Sequence, residues 1–175
     1  MAESPPIQAL RLVKASAFAL ETLSAEVAKL IGTVVGQQDA TESLFVPLGQ
    51  AVMWLAALDD FLWMADRNYP PARDADPQGN VLLGQRLVRN ALLHGDLVVE
   101  LARADAGAVL GRMRLGASRL GSGPSCDWVT LEALRLRQAP RENQAVSYRK
   151  HFSQKPIMKP LLDGFAFLQR SAGVQ

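Results

Sequence analysis

The stretch that decides the fold is residues 83–101, LGQRLVRNALLHGDLVVEL. Its leucines and two polar residues recur at i, i+4 and i+7, which is the spacing of a buried helix face. The members of this leucine stripe are Leu83, Leu87, Asn90, His94, Leu97 and Leu101. Burying an amide and an imidazole costs free energy unless each has a hydrogen-bond partner. The two polar residues at the centre of the stripe therefore indicate a functional site.

A second stripe on the same segment predicts that this helix is buried on two sides. The helix is expected to run from Val81 to Ala104. Glycine in a helix interior costs about 1 kcal/mol relative to alanine, so Gly84 and Gly95 indicate that another helix approaches closely. The second stripe consists of Val81, Gly84, Val88, Ala91, Gly95, Val98 and Ala102. This pattern is typical of the central helix of a bundle.

Two long helices are predicted before the central helix. The first begins at Ser4, whose hydroxyl can cap it, and runs towards Leu30. A polar connection, GQQDATES at 36–43, follows, and Pro47 opens the second helix because proline is tolerated in the first helical position. The expected core residues are Ile7, Leu10, Val13, Ala17, Leu20 and Ala28 on the first helix, and Leu48, Ala51, Leu55, Leu58, Leu62 and Ala65 on the second.

The remaining segments complete an all-α prediction. Residues 68–80, NYPPARDADPQGN, contain three prolines and are expected to form a loop. A loop-rich, irregular stretch is expected around 116–140. Shorter helices are predicted at 108–115, 140–152 and 160–170. The sequence shows no internal repeat, so we expect one domain over residues 1–175, a bundle of long antiparallel helices.

Two structures remain open for the segment WVTLEALRLR inside the irregular stretch. Asp127 can cap a helix that starts at Trp128, whereas the alternation of apolar and polar residues favours a strand. Trp128, Tyr148 and Phe152 lie among basic residues, where they are candidates for stacking on nucleic-acid bases. Core packing is the favoured interpretation for Trp128.

The composition is that of a soluble globular protein. Hydrophobic residues make up 49% of the chain and charged residues 21%. The chain has no uninterrupted apolar run of the roughly 18 residues that span a bilayer, and its N-terminal residues lack the basic and apolar regions of a secretory signal. Cys126 is the only cysteine, which excludes an internal disulfide and fits a reducing compartment. We expect a cytoplasmic protein that does not contact a membrane.

Charge is distributed unevenly along the chain. Residues 1–85 carry 5 basic and 10 acidic side chains, net −5, whereas residues 86–175 carry 14 basic and 7 acidic ones, net +7. Segregated, solvated surface charge explains this as well as a basic surface for a polyanion does. Arginine outnumbers lysine 14 to 5, and its planar guanidinium suits phosphate contacts. RNA is therefore one expected partner.

Several kinds of chemistry are excluded by residue type. Two histidines and one cysteine are too few for a structural zinc site, and the calcium-loop resemblance of 74–79 fails because Gln85 stands where a glutamate is needed. The segment GSGPS lacks the lysine of a phosphate-binding loop. We expect no metal and no cofactor. The remaining candidates for catalysis are Arg89, Asn90 and His94.

These three residues suit metal-independent RNA cleavage. The His94 imidazole can take a proton from a ribose hydroxyl and return one to the leaving oxygen, and Arg89 can stabilise the charge on the phosphate. Asn90 and His94 face the same way on a helix, but Arg89 and His94 are about 140° apart around it. They converge if Arg89 curls round, or if two copies of the helix face each other in a two-fold dimer.

The segment Arg89-Asn90-Ala-Leu-Leu-His94 resembles the signature of the HEPN superfamily. That signature is an arginine, usually followed by a polar residue such as asparagine, with a histidine after four to six intervening residues. The resemblance implies a helical bundle that dimerises along this helix, and often a ribonuclease of toxin–antitoxin, phage-defence or RNA-processing systems. A partner protein such as an antitoxin is implied in the same way. Catalytically silent members of the superfamily are common.

Other interpretations compete with the catalytic one. In one interpretation, His94 is a core histidine that is bonded to Asp59 or Asp60. In another, the same two aspartates anchor a site arginine. Arg86 and Arg89 also fit ordinary surface arginines. We therefore hold Asp59, Asp60 and Arg86 as supporting residues, and a non-catalytic helical protein-binding module as the alternative function. A second copy of the chain is expected to cover the leucine stripe.

Overall fold

The all-α prediction is confirmed. The computed structural model consists mainly of helices, with one short pair of strands among the residues that it describes. The structure describes residues 5–31, 37–94, 98–102, 125–134, 136 and 138–174. The predicted helix at 108–115 lies outside these residues. In chain order the elements are α1 (Pro5–Ile31), α2 (Gln37–Ala65), α3 (Tyr69–Ala75), α4 (Val81–Leu93), β1 (Val99–Ala102), β2 (Ser125–Trp128), a 3-10 turn (Leu131–Ala133), α5 (Glu142–His151) and α6 (Met158–Ser171).

The first helix, α1, packs along α2 through a stripe at alternating spacings of three and four residues. The predicted core residues Val13 and Leu20 are buried, but Ile7, Leu10 and Ala28 are exposed. The apolar residues of α1 lie on more than one side of the helix, and their spacing alone does not show which side is buried. Several predicted core positions therefore lie one residue away from the buried ones. The buried stripe is Ala9, Val13, Ser16, Leu20, Leu23, Val27 and Leu30.

The second helix, α2, starts at Gln37, and the prediction of a polar connection followed by a start at Pro47 is wrong. Proline inside a helix removes one backbone hydrogen bond. Leu44 and Leu48, on either side of Pro47, are both buried, and this burial helps to offset the missing bond. The predicted stripe from Leu48 to Leu62 is buried, whereas Ala65 is exposed.

Part of α2 is long and apolar enough, by length and composition alone, to cross a membrane. This part is Glu42–Ala65, with a mean hydropathy of 1.3, and half of its most apolar window is buried inside the protein. It also carries Asp59, which is buried and bonded to other side chains. The core helix of a soluble bundle meets the same criterion.

The predicted loop at 68–80 contains a short helix, α3. Two prolines stand in its first turn, where the missing N–H groups have no helical partner in any case. After α3, one Asp76 carboxylate oxygen accepts the N–H groups of Gln78 at 2.7 Å and Gly79 at 3.1 Å. A Cβ on Gly79 would lie 2.5 Å from the Arg73 carbonyl oxygen, so this turn requires glycine.

The central helix, α4, is shorter than predicted, because it ends at Leu93 and not near residue 104. Val99–Ala102 instead form β1, which pairs antiparallel with β2, with Val99 opposite Trp128. The run VVEL fits a strand as well as a helix, and the β-branched valines favour the strand. Of the described residues of the segment WVTLEALRLR, only Trp128 lies in a strand, and Leu131–Ala133 form a 3-10 turn, so the capped helix is wrong and the strand alternative holds for Trp128 alone.

Close packing at Gly84, predicted from the second stripe, is confirmed. A Cβ at this position would lie 2.9 Å from the Phe152 ring. The Gly84 N–H donates to the Ser147 hydroxyl at 3.0 Å, and that hydroxyl donates to the Asn80 carbonyl at 2.8 Å. Ser147 on α5 thus supplies the acceptor for an N–H in the first turn of α4, and the two helices are held in one register. Gly95 lies outside the described residues.

The aromatic residues proposed for base stacking belong to the core. Trp128, Tyr148 and Phe152 are fully buried. The centroid of the Phe152 ring lies 5.2 Å from that of Trp128 and 5.4 Å from that of Tyr148. The Trp128 indole N–H donates to the Ile157 carbonyl at 3.1 Å, and the Tyr148 hydroxyl donates to the Val129 carbonyl at 2.9 Å. Core packing is therefore right for Trp128, and these rings are not accessible to nucleic-acid bases.

Candidate functional site

An open cleft of about 620 Å³ lies between the C-terminal half of α4 and the segment that leads into α5. Arginine and amide side chains dominate its lining, and it contains no acidic residue from the described part of the chain. The lining residues are Arg86, Leu87, Arg89, Asn90, His94, Leu136, Gln138, Ala139, Pro140, Arg141 and Gln144. All three residues of the Arg-Asn-x3-His segment therefore face one concave surface of a single chain.

His94 lies at the rim of this cleft, and the prediction that it is buried in an apolar face is wrong. It is the C-terminal cap of α4, and its backbone N–H donates to the Ala91 carbonyl at 3.0 Å. The side chain is exposed because α4 ends one residue earlier. The core-histidine interpretation is also wrong, since Asp59 and Asp60 bond arginines instead.

Asn90 is exposed in the last turn of α4, and its prediction as a buried amide is wrong in the same way. Its side chain makes no hydrogen bond to the residues that the structure describes. The two polar members of the leucine stripe are therefore both open to solvent, unlike its first two leucines.

The first two leucines of the leucine stripe are covered by the chain itself. Leu83 and Leu87 are buried within the bundle, so they do not need a second copy to cover them. Leu97 and the side chain of Leu101 lie outside the described residues. The described leucines of the stripe therefore supply no reason for dimerisation.

Two carboxylates of α2 hold the two arginines of α4 that line the cleft. Arg89 Nη1 lies 3.3 Å from Asp60 Oδ2, and Arg86 Nη2 lies 2.8 Å from Asp59 Oδ2 and 3.6 Å from Asp60 Oδ1. Both arginines are only partly exposed, at 30% for the Arg89 side chain and 25% for Arg86. The buried Nε–H of Arg89 has no acceptor within the described part of the chain.

Asp59 is the centre of a buried polar cluster behind the cleft. It is 2% exposed and accepts hydrogen bonds from the Tyr69 hydroxyl at 2.7 Å, from Arg73 at 3.4 Å and from Arg86 at 2.8 Å. Burial, followed by the negative charge of Asp59, raises the pKa of the Tyr69 phenol far above 10, so this hydroxyl remains a donor. The cluster ties α2, α3 and α4 together.

Arg73 was not identified from the sequence, although it is 2% exposed and fully surrounded. Its guanidinium also pairs with Asp74 at 2.8 Å and lies 4.8 Å from the centre of the Trp63 ring. Arg86 lies over the same ring at 5.5 Å. Arg73 sits in a segment predicted as loop, where an arginine is ordinarily solvated, so no sequence signal pointed to it.

The opposite wall of the cleft carries Arg141, which was also missed. Arg141 is the N-terminal cap residue of α5, is exposed, and forms no ion pair with any described residue. Gln138 and Gln144 lie beside it in the lining. Several other basic residues occur in this part of the sequence, and only the position of α5 relative to α4 singles out Arg141.

An apolar groove of about 180 Å³ adjoins the cleft, and Arg89 lines both. Phe45, Met53 and Leu93 are its exposed apolar members, and Leu93 is 64% exposed. The groove is lined by Phe45, Gly49, Val52, Met53, Arg89, Leu92 and Leu93. It runs along the exposed face of α2 and past the end of α4.

Cys126 and His151, the other described groups with a shifted pKa outside the buried cluster, do not form a second site. Burial, and then Asp127, raise the pKa of the Cys126 thiol to about 12, so it is not a nucleophile at neutral pH. Burial is the first cause that lowers the pKa of His151, which lies outside the cleft lining. No group of three or more histidine, cysteine or acidic residues is placed to hold a metal ion within the described ranges.

The cleft with Arg89, Asn90 and His94 is thus the candidate site. Comparisons of the chain with protein-family profiles, with characterised proteins and with solved structures find no match.

Proposed function

We propose that this protein is a metal-independent endoribonuclease of the HEPN type. One observation carries the proposal: Arg89, Asn90 and His94 line a single open cleft whose described lining contains no carboxylate. An RNA phosphate is accommodated better in such a cleft than in one with acidic walls, because like charges repel. The exposed imidazole is also within reach of a polymer, which a core histidine would not be.

In the proposed reaction His94 transfers a proton and the arginines hold the phosphate. The neutral imidazole takes the proton of the ribose 2′-hydroxyl, the 2′-oxygen attacks phosphorus, and the bond to the 5′-oxygen breaks. The imidazolium returns that proton to the departing 5′-oxygen, which leaves a 2′,3′-cyclic phosphate and a 5′-hydroxyl. Arg89 stabilises the negative charge on the phosphoryl oxygens, and Asn90 orients the substrate or the imidazole.

Asp59, Asp60 and Arg86 have supporting roles in this proposal. Asp60 contacts Arg89, and both aspartates contact Arg86, so the two carboxylates limit the conformations of both cleft arginines of α4. A restrained guanidinium loses less conformational entropy when it binds a phosphate.

A homodimer and a role in toxin–antitoxin or phage-defence systems stay part of the proposal through the HEPN resemblance. One chain already brings the three motif residues into one cleft, so a second copy is not needed to assemble them. A dimer would instead place two clefts side by side. Sedimentation of the wild-type protein and of Leu93→Arg at tens of micromolar tests this, because Leu93 is the most exposed residue of the apolar groove.

Cleavage of RNA in the presence of EDTA tests the proposed activity. Total RNA and then a labelled single-stranded oligonucleotide are incubated with the wild-type protein, His94→Ala and His151→Gln. We expect His94→Ala to lose at least about 100-fold in rate, since general acid–base catalysis contributes that much. His151→Gln is the matched control, because it removes the other histidine, which lies outside the cleft lining.

Two further readouts accompany the cleavage rates. Circular dichroism must show that the His94 variant is folded, and the products should end in a cyclic phosphate. Equal activity in His94→Ala and wild type, or cleavage that EDTA abolishes, contradicts the proposal.

A second candidate function is a non-catalytic helical module that binds a partner protein. The observation in its favour is the apolar groove, whose exposed Phe45, Met53 and Leu93 are typical of a protein-binding surface. The discriminating experiment uses the product of an adjacent gene as the probe. Association that Leu93→Arg abolishes and His94→Ala leaves intact, without any RNA cleavage, supports this candidate over the ribonuclease.

A further inference from the structure

The three arginines of the cleft differ in how much of their charge is already neutralised. Arg86 and Arg89 each lie within 3.3 Å of a carboxylate oxygen of α2. Arg141 forms no ion pair with any residue in the described part of the chain, and it is exposed. The net attraction of this cleft for an anion therefore comes mainly from the Arg141 wall and not from the arginine of the sequence motif.

The wall around Arg141 also supplies neutral hydrogen-bond donors. Gln138 and Gln144 lie in the lining on the same side, and each amide carries two N–H groups. A guanidinium with flanking amides is a combination that binds phosphate oxygens, because every group donates and the positive charge is not cancelled. Nothing acidic faces these groups within the described cleft lining.

The size of the cleft leaves room for more than the reacting phosphate. A volume of about 620 Å³ falls in the range of pockets that enclose drug-sized ligands. His94 and Arg89 lie on the α4 wall, and Arg141 lies on the other. A strand of RNA that enters the cleft therefore meets two separate cationic groups.

We propose that Arg141, with Gln138 and Gln144, forms a second phosphate-binding subsite, for the backbone phosphate next to the scissile one. This inference rests on the proposed ribonuclease function and specifies how its substrate is held. Arg141 binds and positions the strand but does not touch the reacting atoms. A second phosphate therefore adds affinity only while Arg141 is present.

Binding of short oligodeoxynucleotides tests the subsite without any cleavage, because they have no 2′-hydroxyl. The probes are a fluorescently labelled dinucleotide with one phosphate and a trinucleotide with two, and their affinity is measured by anisotropy on the full chain. We expect the wild-type protein to bind the two-phosphate probe about tenfold more tightly than the one-phosphate probe, and Arg141→Ala to remove this advantage. Arg141→Lys should recover part of the loss.

Lys150→Ala is the matched control for loss of one positive charge. Lys150 lies on α5, is exposed and is not part of the cleft lining. Equal effects of Arg141→Ala and Lys150→Ala would indicate bulk electrostatics and would overturn the subsite. Wild-type protein that binds both probes equally well would overturn it too.

Cleavage assays separate this inference from the proposed function. If the wild-type protein cleaves RNA and Arg141→Ala cleaves a long substrate with unchanged KM and kcat, the subsite is wrong and the ribonuclease proposal stands. If the protein never cleaves RNA but Arg141 distinguishes the two probes, the subsite stands as an anion site and the ribonuclease proposal fails.

Discussion

The two walls of the cleft use the same residue type in opposite ways. On the α4 wall, Arg86 and Arg89 are partly buried and ion-paired with Asp59 and Asp60. On the α5 wall, Arg141 is exposed and forms no ion pair with any described residue. The first pair is organised by the fold before any ligand binds, whereas the third arginine still carries an uncancelled charge.

This difference shows that burial and partners, and not a sequence motif, decide which arginine has charge available for a ligand. A phosphate that binds Arg89 competes with Asp60 for the same guanidinium. A phosphate that binds Arg141 has no such competitor among the cleft residues. In return, the α4 arginines are held in defined positions, so they lose less conformational entropy when they bind a ligand.

Removing the carboxylate at the centre of the buried cluster should have the largest effect. Asp59→Ala leaves Arg73 buried without its acidic partner on α2 and takes an acceptor from the Tyr69 hydroxyl. We expect the free energy of unfolding to fall by about 3–5 kcal/mol, the usual cost of breaking a buried ion pair. Urea unfolding followed by circular dichroism measures it.

Asp60→Ala is the control for the Asp59 prediction. Asp60 is half exposed, so its loss should cost less than about 1 kcal/mol. Equal destabilisation by the two substitutions would show that the inner cluster is no more structural than the outer pair.

The next largest effect on stability is expected at Gly84, where α4 packs against α5. In Gly84→Ala the new Cβ would meet the buried Phe152 ring at 2.9 Å, so α5 must shift. We expect a loss of about 1–3 kcal/mol in the free energy of unfolding, as for an overpacked core. Gly49→Ala is the matched helix glycine, and it should stabilise by up to about 1 kcal/mol because nothing lies within 4 Å. Changes of the same sign in the free energy of unfolding of the two variants would contradict this.

A smaller, pH-dependent effect is expected at the other end of α5. Burial, and then the positive charge of Lys150, lower the pKa of His151. The negative charge of Asp163 opposes this shift, and the positive charge of Lys159 adds to it. As pH falls through about 6.5, the unfolded chain takes up a proton on this residue and the native protein does not. The free energy of unfolding should therefore decrease as the pH falls below about 6.5.

The measurement compares wild type with His151→Gln at pH 7.5 and pH 5.5. Acid effects of the carboxylates are common to both proteins, so the wild-type urea midpoint should fall more than that of the variant. Identical decreases would show that the partly buried imidazole does not contribute.

The smallest effect on stability is expected at Arg141 itself. The side chain is exposed and unpaired among the described residues, so Arg141→Ala should change the free energy of unfolding by no more than about 0.5 kcal/mol. Thermal unfolding of the variant measures this directly. A loss above 1 kcal/mol would mean that Arg141 is structural, and the contrast between the two walls would disappear.

The sequence predicted the helical class and much of the core because apolar spacing reports burial directly. The stripe of α2 from Leu48 to Leu62 and the close approach at Gly84 both follow from such spacing. Helix ends were predicted less well. The sequence pattern places His94 inside a continuous helix, although Val99 pairs with Trp128 of β2, and a strand partner so far along the chain has no local signal.

The candidate site was found only in part for a related reason. Arg89, Asn90 and His94 are close together in sequence, so their pattern is visible. Arg141 reaches the same cleft from a different helix, and Arg73 is buried by contacts that depend on where α3 folds. Tertiary structure brings these residues together, and no periodicity in the sequence records it.

The hydroxyl of Ser147, which joins α4 to α5, has a thermodynamic consequence for ligand discovery. It holds together two segments that are distant in the chain, and the cleft exists only while both are in place. A molecule that bridges the walls binds the native state and not the unfolded chain, and at 100 times its Kd it adds about 2.7 kcal/mol to the free energy of unfolding. Nucleotides and oligonucleotides can therefore be ranked as ligands by the rise in Tm alone, before any activity is known.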